Sequence, residues 1–194
     1  MITLPQVTLI ALSGIGHKQG ENAEALKKSC EGIKFGDVKY IQLGKITSID
    51  TWNEAVIHDL PKYIETSHCL FVHGDSEITH PELWDNEWLS LDFIGSPWPL
   101  PPDDYSYRTP SGRIIRVGNS VSLRSKKLMD LVASRKMEYH YGNNHEDGEI
   151  CVWQRDWLEE QGCKFATFEQ ALKFGKEHTL AENENLDTFL IHQI

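Results

Sequence analysis

Residues 67–77 read Ser-His-Cys-Leu-Phe-Val-His-Gly-Asp-Ser-Glu. The stretch Ser67–His73 is apolar without polar alternation, the pattern of a strand buried on both faces. Gly74 ends it, and the acidic triplet Asp75-Ser76-Glu77 follows. Upstream, Gln6–Ser13 (QVTLIALS) is a second such run, closed by Gly14 and Gly16. Between the two, Glu21–Cys30 has helix composition and Gly32 sits where that helix would stop. Val38–Leu43 alternates as a strand. Asp50–Ile64 predicts a helix with Trp52, Val56, Leu60 and Ile64 spaced by four, kinked or broken at Pro61. This β–α–β–α–β alternation predicts an α/β fold with a mostly parallel central sheet flanked by helices.

Downstream the texture changes. Asp92–Trp98 (DFIGSPW) predicts a strand that stops at Pro97. Pro99–Gly112 holds four prolines and reads as a long loop, a length that compact domains keep for function or leave disordered. Ile114–Arg124 predicts strand, turn, strand, with Gly118-Asn119 at the turn. Ser125–Arg135 predicts a helix capped by Ser125. Glu146–Glu160 predicts one amphipathic helix carrying Ile150, Trp153, Trp157 and Leu158 on one side. A short strand at Lys164–Phe168 and a short helix at Phe168–Phe174 follow. Residues 1–178 read as a single domain and 179–194 as a weakly patterned C-terminal tail.

The chain has 194 residues, enough for one domain with a sizeable core. It carries 19 Lys and Arg against 29 Asp and Glu, a net charge of −10, which argues against general nucleic-acid binding. No apolar run is long enough to span a bilayer, and Met1–Pro5 lacks the basic region of a secretory signal. Four cysteines without a C-x-x-C pair are read as reduced thiols, and the expected compartment is the cytoplasm. Charge is uneven: residues 108–136 hold eight Arg or Lys and one acid, Asp130. Such an island suggests a local anion site, or else a solvated helix face around Lys126, Lys127, Arg135 and Lys136.

Three constellations could carry chemistry. Asp75 and Glu77 follow the third strand and would share a side if the extended backbone continued, where two carboxylates could hold Mg²⁺ or Mn²⁺. As plain residues they are a turn aspartate and a solvated glutamate. Glu146-Asp147 open a helix after Gly142-Asn143-Asn144, a placement that suits a general base, although acids there also stabilise the helix dipole without further function. Gly118-Asn119 permits close ligand approach, and Arg124 or Arg116 could pair with phosphate; a plain hairpin turn explains the same residues. His73, His80, His145 and His178 invite a metal reading. Gly74-Asp75 with Gly142–Glu146 is faintly similar to metallophosphoesterase blocks, but the first strand lacks that family's early D-x-H.

Taken together, LPQVTLIAL, HDLPKYIETSHCLFVHGD, WDNEWLSLDFIGSPW, VGNSVSLRSKKLMD, EDGEICVW and GCKFATFEQALKFGKE resemble the domain-of-unknown-function family 5672, regarded as glycosyltransferase-like. The resemblance implies a GT-A fold, a single nucleotide-diphospho-sugar transferase domain. It implies transfer of a sugar from a nucleotide-diphospho-sugar, UDP-linked, to a glycan or other hydroxyl acceptor, with Mn²⁺ or Mg²⁺ as cofactor. Asp75 matches the aspartate that corresponds to the metal motif, with Glu77 and His178 as further metal ligands. Gly95, Pro97 and Trp98 match a G-x-P-W wall of the substrate site. Gly118, Asn119, Ser122, Leu123 and Arg124 match a GN…SLR block on the substrate side, near Arg116. Asp147, with Glu146 behind it, matches the acidic pair where the base stands, and Glu177 matches a late acid. The Pro99–Gly112 loop would close over the donor, and Tyr105, Tyr107, Trp84 and Trp98 could stack on rings. The chain departs from the family's Q-x-D-G, where it has His73-Gly74-Asp75-Ser76, and from its G-N-G-G-F-S-L-R-S, where Ser120-Val121 follow Gly118-Asn119; the lost glycines leave less room beside a ligand. A non-catalytic nucleotide-sugar or carbohydrate-binding protein on the same fold is the alternative, with metallophosphoesterase a distant third.

Overall fold

The computed structural model describes residues 1–15, 19–137 and 145–193. In chain order the strands are β1 (Ile2–Ser13), β2 (Ile33–Gln42), β3 (His68–Phe71), β4 (Ser76–Ile78), β5 (Phe93–Pro97), β6 (Val117–Ser125), β7 (Gly175–Lys176) and β8 (Leu190–His192). The helices are α1 (Gln19–Ser29), α2 (Ile49–His58), α3 (Lys126–Ala133), α4 (Glu146–Gly148), α5 (Arg155–Glu160) and α6 (Phe168–Phe174). A five-stranded sheet has the order β2-β1-β3-β6-β5, and a three-stranded sheet the order β4-β8-β7.

Apolar residues on both sides of β1 and β3 make this sheet the centre of the molecule. Val7, Leu9 and Ala11 of β1 join Leu70 and Val72 in a core with Leu26 of α1, Phe174 of α6, Trp88 and Phe189. The alternate residues Ile10 and Leu12, with Cys69 and Phe71, pack on Ala55 and Val56 of α2 and Met129 of α3. Period-two alternation between two covered faces is why these strands read as unbroken apolar runs. Burial pushes the Cys69 thiol up to about 12, so it behaves as a small core residue.

The main sheet is mixed, which corrects the expectation of a mostly parallel one. β1 pairs in parallel with β2 and β3, but β6 runs antiparallel to both β3 and β5. The cause lies in the connection. Helical crossovers join β1 to β2 and β2 to β3, while residues 98–116 contain no helix and return the chain from the end of β5 directly into β6. Without a crossover, adjacent strands must run antiparallel. Helices do flank the sheet, as expected.

Four local readings also change. The segment expected as strand, turn, strand is one strand, β6; Gly118-Asn119 forms an irregularity opposite Ile94–Ser96, with Asn119 at φ +95°. Glu146–Glu160 is three pieces: α4, a π-helical turn at Glu149–Trp153, and α5. The Gln154 N–H bonds to Glu149 O at 2.9 Å, five residues back, and the widened turn buries Glu149, Ile150, Cys151 and Val152 in succession. Lys164–Phe168 contributes a single bridge, Phe165 to Phe93, rather than a strand. The segment read as a tail contains β8, which lies between β4 and β7.

Other boundaries follow their sequence signals. α2 stops at His58 and gives way to a 3-10 turn at Leu60–Tyr63 containing Pro61. Ser48 caps α2 in a reciprocal box with Thr51, and Ser125 accepts the Leu128 N–H at the start of α3.

Candidate functional site

The order β2-β1-β3 means that the chain leaves β1 to one side and later returns on the other. In α/β sheets, the crevice beyond the strand ends at such a switch is where ligands bind. A cavity of about 1200 Å³ lies there. Leu12–Gly14 from β1 and His73–Asp75 after β3 form its floor. The start of α2, Trp98 after β5, the start of β6, His145–Gly148, and Glu177, His178 and His192 complete it.

His73, Asp75 and His192 each offer a ligand atom here, all within 4.8 Å of one another. His192 Nε2 is 3.4 Å from Asp75 Oδ1, and its Nδ1 is 3.4 Å from Glu177 Oε1. The His73 ring is wedged edge-on against Trp52, Phe71 and His192 at centroid distances of 5.2, 5.0 and 5.3 Å. Ser76 Oγ donates to His73 O at 2.8 Å and accepts the His73 N–H at 3.0 Å, closing the turn that presents Asp75. A side chain on Gly74 would run into Glu21 of α1, so the turn packs tightly on that helix. The Gln193 N–H bonds to Asp75 O at 2.8 Å, and Gln193 Nε2 donates to Glu177 Oε1 at 3.3 Å.

Glu77 is not part of the cluster. Ser76 pairs with His192 across β4 and β8, and Glu77, one residue on, points to the other face, 3.6 Å from Lys28. The strand therefore turns at Asp75 rather than continuing, and the two carboxylates do not share a side. His178 lines the cavity with its Nε2 3.6 Å from Glu177 Oε2, outside the three-residue cluster.

Asp147 and Glu146 also line the cavity, and their environments differ. Asp147 is half-buried, and its carboxyl is pushed up from 3.8 to about 7, by burial first and by the Glu146 charge second. Glu146 is 1% exposed. It accepts from Arg124 Nη2 at 2.7 Å and from Ser120 Oγ at 2.5 Å, while its N–H donates to Asn53 Oδ1 at 3.2 Å. Arg124 is also 1% exposed and donates to Ser122 Oγ and Ser120 O. It is a partner for Glu146 inside the protein, and its charge is spent there rather than on a phosphate. The turn Gly142–Asn144 lies outside the described residues, as does His17.

The remaining expected substrate residues build the wall more than they line it. A side chain on Gly118 would overlap the Trp98 indole, and one on Gly95 would overlap the Gly118 carbonyl. Gly118 leaves room for the Trp98 indole and Gly95 for the Gly118 backbone, so both serve packing. Trp98 does reach the cavity, its indole 5.0 Å from the Tyr107 ring. The Asn119 amide is turned inward, donating to Ser96 Oγ and accepting the Val121 N–H. Arg116 bonds to Glu182 and lies 3.8 Å over the Phe168 ring. Trp84 packs on Trp88 and Phe189 in the core. Tyr105–Tyr107 bring the proline-rich loop to the cavity, with Tyr107 at φ +52°. Asp103 holds that loop by accepting the Tyr105 and Ser106 N–H groups.

The basic island disperses. Arg113 pairs with Asp156 and Glu159, Lys126 with Asp130, and Lys127 with Asp92, while Arg135 stacks on Trp157. Among the described residues lining the cavity there is no Lys or Arg.

A family model described as Protein of unknown function (DUF5672) matches residues 37–192. The chain belongs to the DUF5672 family. The match runs from β2 to His192 and so includes His73, Asp75, Asp147, Glu177 and His192 of this DUF5672 protein. No curated protein matches it. No helix among the described residues is long and apolar enough to cross a membrane.

His192 was not among the residues expected at the site. A signal for it exists: Leu190-Ile191-His192 repeats the apolar-apolar-His pattern of Phe71-Val72-His73.

Proposed function

We propose that this DUF5672 protein is a metal-dependent glycosyltransferase of GT-A type. It would move a sugar from a nucleotide-diphospho-sugar to a hydroxyl acceptor. One observation carries the reading: a single cavity at the strand ends is lined by both a His/Asp/His cluster and a carboxyl raised to about 7. At about 1200 Å³ the cavity exceeds the ~300–1,000 Å³ of ordinary small-molecule sites, leaving room for donor and acceptor together.

The donor set of two imidazoles and a carboxylate fits a divalent cation, with Asp75, His73 and His192 holding it. When bound, the ion supplies charge neutralisation for the departing diphosphate. Asp147 takes the acceptor's hydroxyl proton. The acceptor oxygen then bonds to the anomeric carbon, and the bond from that carbon to the diphosphate oxygen breaks. A carboxyl near 7 matches that task, since a base works best with a pKa near the operating pH. Trp98 and Tyr107 offer aromatic faces to sugar or base.

The same lining supports a second reading. A cavity with aromatic faces and no Lys or Arg among its described residues also suits a neutral glycan held without catalysis. Thermal-shift measurements against nucleotide-sugars and free glycans, with and without Mn²⁺, separate the two. Stabilisation requiring both nucleotide-sugar and metal supports the transferase. Stabilisation by free glycan alone, indifferent to metal, overturns it in favour of a binding protein.

A further inference from the structure

We infer that His73, Asp75 and His192 form a preassembled site for a borderline transition ion, which the free protein takes up without nucleotide and which discriminates against Mg²⁺. The inference deepens the metal-dependent reading above and rests on it only for the site's purpose.

The geometry is near that of ligation. Donors bound to one ion at ~2.1 Å lie about 3.4 Å apart in a tetrahedron and about 3.0 to 4.2 Å apart in an octahedron. The His192 Nε2 to Asp75 Oδ1 separation is 3.4 Å, and no donor pair in the cluster exceeds 4.8 Å. Closure needs small side-chain shifts rather than movement of the backbone.

A second, independent feature points to a metal. Histidines that ligate metals through one nitrogen commonly turn the other toward a carboxylate, which orients the ring and raises its basicity. His192 has this arrangement: Nε2 faces Asp75, and Nδ1 faces Glu177 at 3.4 Å. Nδ1 is buried, yet it falls short of hydrogen-bond geometry with any described group. A small rotation that brings Nε2 onto an ion would let Nδ1–H meet Glu177, itself held by Gln193.

The ligand types set the selectivity. Mg²⁺ prefers oxygen donors and keeps its waters, whereas imidazole suits Zn²⁺, Co²⁺ and Fe²⁺ and is accepted by Mn²⁺. Two of the three donors are imidazoles. Three protein ligands also remove the need for a diphosphate to complete the site, and they leave positions open to one.

The test titrates the chelator-treated full chain with Mn²⁺, Co²⁺, Zn²⁺ and Mg²⁺ alone by calorimetry, and records the Co²⁺ visible spectrum. The expected result is one equivalent of transition ion bound without nucleotide, not displaced by millimolar Mg²⁺. His73→Ala and His192→Ala should each weaken binding at least tenfold, and Glu177→Gln about 10–100-fold, while His178→Ala binds as wild type does. Circular dichroism of each variant checks the fold, and the wild-type titration decides independently of every variant. No uptake by the folded wild type, or Mg²⁺ bound as tightly as Mn²⁺, overturns the inference. So does an equal loss in His178→Ala. Uptake only in the presence of nucleotide-sugar overturns preassembly and leaves the transferase reading standing. Uptake without any nucleotide-sugar binding does the reverse.

Discussion

Arg124 donates to Glu146 at 2.7 Å with both side chains 1% exposed, a charge pair closed off from solvent at the edge of the cavity. Removing one partner from such a pair leaves the other as an uncompensated buried charge. Arg124→Leu is therefore expected to lower stability by about 3–5 kcal/mol, and the double change Arg124→Leu with Glu146→Leu by clearly less. Urea unfolding of the three proteins measures both. If the single variant matches wild type, Arg124 is not a partner for Glu146 and becomes available to a ligand.

Asp147 gives a pH-dependent expectation. Its carboxyl is raised in the folded chain, so between about pH 4 and 7 the folded state holds a proton that the unfolded state has lost. The stabilisation is complete below the unfolded value and disappears as pH rises through about 7. Asp147→Asn is expected to be more stable than wild type at pH 8, on the order of 1–2 kcal/mol, with the difference gone near pH 4. As the proposed base, its loss should also cut single-turnover rate by about 10²–10⁴-fold while donor affinity stays. A variant that turns over as fast as wild type refutes the role.

Gly118 and Trp98 are expected to be coupled. Gly118→Ala puts a methyl group where the indole lies and should cost about 1–3 kcal/mol, with a shift in tryptophan fluorescence. Adding Trp98→Leu should recover much of that loss. Additive energies in the double-mutant cycle would show the two positions to be independent.

Since no Lys or Arg is found among the described cavity residues, a diphosphate bound there is expected to depend on a cation. Nucleotide-diphosphate binding by calorimetry is expected to disappear with chelator, and equally in Asp75→Asn. Binding that survives chelation would place the phosphates elsewhere.

Much of the fold was legible because burial leaves a pattern. Continuous apolar runs announced β1 and β3, apolar residues spaced by four announced α2, and the Ser125 cap announced α3. The direction of β6 was hidden, because direction depends on what the connection does in space, and a proline-rich loop carries no such mark. The site was half legible. Asp75 and Asp147 stand where turn chemistry and a helix start predicted them. Glu77 failed because Asp75 sits in the turn before β4, so the two residues do not share one extended strand. Gly118, Asn119 and Arg124 matched a motif whose residues mostly pack the wall, and a motif does not distinguish packing from contact. His192 escaped notice because its strand has three residues, too few for alternation to show.

β8 joins parts of the chain that are far apart in sequence: Ser76 pairs with His192, and Gly175 with Leu190. Loop closure over such separations is slow, so these pairings should be among the last to form as the chain folds. Intermediates with the main sheet complete would still lack one corner of the cluster. A ligand of that cluster then recognises only finished molecules, and it pulls the folding equilibrium from the final step rather than the first.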